Sequence, residues 1–164
     1  MSREDGKMQD EQVTIEDAEE AYEAGHIEGA LDICVQLLEA DPDDADALYL
    51  AGEAMIELQE FEAAEEIFAD LLRLEPESAG AFNGRGVALF ELCRFDEARA
   101  ALTQATELDP RLAECRLYLG YFHERRGEGE LAAACFQRAV ELDPEAFHAP
   151  VELSIDQLER ARAT

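Results

Sequence analysis

Between residues 45 and 74 two apolar patterns are separated by one polar break. In ADALYLAGEAMIEL, residues 45–58, and in FEAAEEIFADLLRL, residues 61–74, apolar side chains recur three and four apart. That is the spacing of one face of an α-helix. The QE between them, residues 59 and 60, interrupts the pattern and predicts a turn. Pro76 follows, and a proline ends a helix because it has no N–H to donate and biases the residue before it away from the α region. The stretch predicts two helices in a hairpin.

The same unit recurs along the chain. LLEADPDD at 37–44, LLRLEPES at 71–78, ATELDPRL at 105–112 and AVELDPEA at 139–146 place Pro42, Pro76, Pro110 and Pro144 at intervals of 34 residues. Phasing on the prolines gives four units, 11–44, 45–78, 79–112 and 113–146. Small residues then share the eighth place (Ala18, Gly52, Gly86, Gly120) and the twentieth (Ala30, Ala64, Ala98, Ala132). Large apolar residues take the seventeenth place in three units (Ile27, Phe61, Phe95) and the twenty-fourth in three (Phe68, Leu102, Phe136), with Cys34 in the first. Gly25 and Gly127 mark the turn between helices, where a residue tolerant of positive φ ends a helix at little cost. Two small residues facing each other let the helices of a pair close, and Gly52 against Ala64 or Gly86 against Ala98 are the expected contacts.

This phased pattern resembles the tetratricopeptide repeat over residues 11–146. The resemblance implies an all-α, right-handed α-solenoid of antiparallel helix pairs. Residues 1–10 are then a disordered tail, and EAFHAPVELSIDQLERARAT, with Val151, Leu153, Ile155 and Leu158, offers a capping helix over 147–164 to cover the last apolar face. Departures from the family pattern are local. Thr14, Leu48, Phe82 and Arg116 stand where Trp is common, Asp17 and Arg85 where Leu is usual, Leu37 and Leu71 where Ala is usual, and Gly129 where an aromatic is.

In such arrays the first helix of each pair lines a concave surface. The family's groove places, two, five, nine, twelve and thirteen, imply Ile15, Glu19, Tyr22 and Glu23 in the first unit and Tyr49, Glu53, Ile56 and Glu57 in the second. They imply Asn83, Val87, Phe90 and Glu91 in the third, and Leu117, Tyr121, Glu124 and Arg125 in the fourth. The implied groove is aromatic and acidic. Family members that clamp a terminal carboxylate use Lys, Arg and Asn at these places, and here only Asn83 and Arg125 offer donors. The groove instead suits a protein or peptide with apolar anchors beside Lys or Arg; the alternative is that Tyr49, Phe90 and Tyr121 pack against neighbouring helices.

Charge has two readings: it serves solubility or marks an acidic proteome, or it attracts a basic partner. Forty acidic residues oppose thirteen basic ones for a formal charge of −27, and 23 of the acids with only two bases fall between Met1 and Leu72. Phosphate-binding surfaces need the opposite sign, so nucleic acid is excluded as a partner. No apolar run spans a bilayer and the start, MSREDGKMQDEQ, has no apolar signal core, so no membrane association is expected and the protein is read as cytoplasmic. Twelve arginines to one lysine point to a GC-rich, bacterial coding sequence.

No catalytic motif is present. GRGVALF, residues 84–90, has two glycines but not the strand that a phosphate loop follows. Glu19 and Glu23 stand one turn apart on a face full of glutamate and read as solvated. Cys34, Cys93, Cys115 and Cys135 form no CxxC pair, and Cys115, His123 and His148 are too scattered for a metal set. No metal or cofactor is expected. The chain reads as a non-catalytic interaction module, either a scaffold or adaptor. The alternatives are a small acidic chaperone of the secretion type, or the N-terminal part of a longer protein whose catalytic domain is absent here.

Overall fold

The computed structural model describes residues 13–145. The expected tail over 1–10 and the expected end helix over 147–164 lie outside the described residues. Within them are eight α-helices and no strand. α1 (Ile15–Glu23) pairs with α2 (Ile27–Ala40), α3 (Ala45–Glu57) with α4 (Phe61–Leu74), α5 (Ala79–Glu91) with α6 (Phe95–Leu108), and α7 (Ala113–Arg125) with α8 (Gly129–Leu142).

Sequence explains where each helix stops. The second helix of each pair ends two residues before its proline, and the intervening residue donates its N–H back, as Asp41 does to Leu37 at 2.8 Å. Asp44 and Ser78 cap α3 and α5 by accepting from the N–H of Ala47 and Ala81. α1 starts four residues later in its unit than α3, α5 and α7 do in theirs. There Thr14 and Asp17 form a reciprocal capping box, with the Thr14 N–H donating to the Asp17 carboxylate at 2.8 Å, which satisfies two otherwise orphaned donors.

All four hairpin turns pass through the left-handed region. Gly25 has φ 79° and Gly127 φ 71°, as their sequence positions predict, and the equivalent residues Gln59 and Cys93 take φ 62° and 60° despite their side chains.

The small residues do close the pairs, though against a different partner from the one expected. A Cβ on Gly52 would lie 2.6 Å from the Phe68 ring, one on Gly86 2.7 Å from Leu102, and one on Gly120 would strike Phe136. The eighth place thus receives the large side chain of the twenty-fourth, not the alanine of the twentieth. Phe68 and Phe136 are fully buried as a result, and Phe68 also fills the space left by Gly84 on the next pair.

α2, α4 and α6 each pack between the first helix of their own pair and that of the next, α8 packs on α7, and α1, α3, α5 and α7 also touch in succession. This unequal layering bends the right-handed solenoid so that the first helices line its inner face.

Candidate functional site

The expected groove residues lie on the four first helices, and not all of them are exposed. Asn83, Val87 and Leu117 are buried, at 6%, 2% and 8% exposure. Leu117 packs with Ala132, Phe136 and Ala139. Asn83 accepts from the Cys115 thiol at 2.9 Å and donates to Glu114 at 2.6 Å. Ile15 and Tyr22 pack half-buried against the Ala18 and Cys34 cluster, and Ile56 against the Phe68 cluster. Glu19, Glu23, Glu57, Glu91 and Arg125 are exposed, Tyr49 is 38% exposed, and Glu53, Phe90, Tyr121 and Glu124 are half-buried.

The accessible residues fall into two groups. The first joins α1, α3 and α7. Glu53 is largely withdrawn from water, and that burial, followed by the charges of Glu114 and Glu57, pushes its carboxyl up to about 7. Burial and then Glu53 likewise push the Tyr22 and Tyr49 phenols up to about 12. Tyr49 stands edge-on to Phe68, centroids 6.0 Å apart, and its ring occupies the space left by Gly80.

The second group is aromatic and joins α5, α6 and α7. Phe90 meets Phe95 and Tyr118 edge-on at 5.2 Å and lies 6.4 Å from Tyr121, which in turn meets Phe136 at 5.2 Å. A shallow pocket of about 270 Å³ opens among Phe90, Tyr118 and Tyr121, rimmed by Glu91, Glu124 and Arg125. The Arg125 guanidinium covers the Phe95 ring at 4.2 Å. A second cavity, of about 530 Å³, is lined by Arg94, Phe95, Phe122, Arg125 and Arg126 with Cys93, Asp96 and Glu97.

Sequence reasoning passed over two groove residues, Glu114 and Tyr118. Glu114 occupies the second place of its unit, a groove place in the family, and was legible on that ground. Tyr118 occupies the sixth place and stands edge-on to Phe90 of the preceding pair, lining the same pocket.

Profiles of the family described as tetratricopeptide repeat match residues 21–83 and 85–147. The chain belongs to the tetratricopeptide-repeat family. No curated protein matches it in sequence. Solved structures with the same fold include a thermophilic tetratricopeptide-repeat protein of Thermus thermophilus, at TM-score 0.74 and 21% identity over 90% of this chain and 80% of that one. MamA from Desulfovibrio magneticus, residues 41 to the end, aligns at TM-score 0.67 and 22% identity, covering 90% and 93%. YrrB, described as a tetratricopeptide-repeat protein with an unusual peptide-binding site, aligns at TM-score 0.68 and 26% identity, covering 91% and 76%.

As a tetratricopeptide-repeat protein the chain is a protein-interaction scaffold. Among the described residues no helix is long and apolar enough to cross a membrane, and no three His, Cys, Asp or Glu side chains are grouped to hold a metal ion.

Proposed function

We propose that this tetratricopeptide-repeat protein is a non-catalytic scaffold that holds a segment of a partner protein in its concave groove, and that the segment carries apolar anchors beside Lys or Arg. The observation that carries the reading is the pairing of an aromatic shelf, Phe90, Tyr118 and Tyr121, with a carboxylate cluster, Glu53, Glu57 and Glu114, that forms no ion pair among the described residues. Aromatic surfaces at the centre of an interface supply anchoring area, and uncompensated carboxylates select a cationic neighbour. The peptide-binding site of YrrB is a precedent for such use of the fold.

The test is binding of fluorescent peptides that combine Leu or Phe with Lys or Arg. Phe90→Ala and Tyr49→Ala should each weaken binding by about 2 kcal/mol or more, the effect of losing a buried anchor. Glu16→Gln, on an exposed position outside the groove, should change it by less than about 0.5 kcal/mol. Circular dichroism confirms that the variants fold. Unchanged binding in both folded aromatic variants would move the site to the convex face or the loops.

A further inference from the structure

Four side chains lie on one stripe of α7. Glu114, Tyr118, Tyr121 and Arg125 follow one another at spacings of four, three and four residues, which places them on a single helix face. At a rise of 1.5 Å per residue the stripe is about 16 Å long. Its order is acid, aromatic, aromatic, base.

Both ends carry charge that no ion pair among the described residues engages, and Glu91 and Glu124 line the same pocket as Arg125. At the Glu114 end, Glu53 and Glu57 add to the negative potential, and Asn83 is the only side chain that donates to Glu114 among the described residues. At the other end Arg125 has no ion pair among the described residues; its guanidinium rests on the Phe95 ring. Its neighbours are engaged. Arg94 is held by both oxygens of Glu97 at 2.8 and 2.7 Å and by Glu65 at 3.6 Å, and Arg126 by Glu128 at 2.8 Å with Asp96 nearby. In a chain of formal charge −27, Arg125 is therefore a cation outside any ion pair among the described residues, beside a cavity roomy enough for a carboxylate side chain.

We propose that the groove reads its ligand by charge order. A segment lying along α7 places Lys or Arg at Glu53 and Glu114, apolar side chains on Phe90, Tyr118 and Tyr121, and an Asp or Glu carboxylate on Arg125. An extended segment advances about 3.3 Å per residue, so its basic and acidic residues stand about five positions apart. The proposal rests on the groove reading above and sharpens it. Total charge alone favours a uniformly basic ligand, whereas the stripe disfavours one, because a second cation would face Arg125.

The experiment uses three labelled decapeptides and fluorescence anisotropy. The first has Lys, then Leu and Phe, then Glu five positions after the Lys, with serine elsewhere; the second has Gln in place of the Glu and the third has Lys. On the parent protein the Glu peptide should bind about five-fold more tightly than the Gln peptide and more tightly still than the Lys peptide. Arg125→Gln should erase the difference between the first two, and Arg125→Glu should reverse the ranking so that the Lys peptide binds best. Equal or tighter binding of the Gln or Lys peptide to the parent overturns the charge order. If that happens while Phe90→Ala still abolishes binding, the groove reading stands without it. Binding by none of the three overturns both.

Discussion

Glu53 is a single half-buried carboxyl that carries a cost in stability. Its carboxyl is pushed up to about 7 by burial and by Glu114 and Glu57, so the folded protein holds this proton more tightly than the unfolded chain, where the group titrates near 4.5. Stability from this group is therefore complete below about pH 4.5 and is lost as pH rises through about 7. Glu53→Gln removes the dependence. Denaturant unfolding at pH 5 and pH 8 should find the variant more stable than the parent at pH 8, by on the order of 1 to 3 kcal/mol, with the gap closing toward pH 5. A gap that is the same at both pH values would show that Glu53 is not desolvated. The residue was legible in sequence as a groove position. Its partner Glu114 lies two units further on, and a pattern read within one unit does not reveal which side chains superhelical stacking brings together.

At the scale of the elements, the sequence determines helices and ends well because each boundary has a local cause. Proline stops α2, α4, α6 and α8, and side-chain caps start α1, α3 and α5. What it conveys less well is which residue meets which across a hairpin. Glycine at the eighth place signals close approach, but whether the space goes to backbone or to a ring depends on how the helices slide, and here Phe68, Leu102 and Phe136 take it. The turns give a test at this scale. Gln59 and Cys93 adopt the left-handed conformation that Gly25 and Gly127 adopt freely, and a side chain there carries a steric cost of roughly 1–2 kcal/mol. Gln59→Gly relieves it but widens the unfolded ensemble, which takes back part of the gain. The expected result is a stabilisation of about 0.5–1 kcal/mol in chemical denaturation. Destabilisation would mean that Gln59 is held by contacts that outweigh its strain.

Across the whole molecule one property, net charge, has two consequences of opposite sign. With −27 distributed over 164 residues, carboxylates repel one another more closely in the folded solenoid than in the unfolded chain, and that self-repulsion destabilises the compact state. The described ion pairs are mostly within a single helix or turn, as in Arg73–Asp70, Arg94–Glu97 and Arg138–Glu141; exposed pairs of this kind contribute little. Arg85 and Arg94 meeting on Glu65 is the exception, tying α4 to α5 and the turn after it. Salt shortens the Debye length from about 30 Å at 0.01 M to about 8 Å at 0.15 M. The free protein should therefore melt higher as salt rises over that range, by about 2–4 °C for each kcal/mol of repulsion removed. Binding of the lysine-containing peptide should weaken over the same range, chiefly through slower association, because the attraction that steers it is screened. Differential scanning fluorimetry and stopped-flow anisotropy on one salt series measure both. Opposite slopes are the signature of a groove whose acidity attracts a ligand at the expense of the fold; a rising melting temperature with salt-independent association would assign the charge to solubility alone.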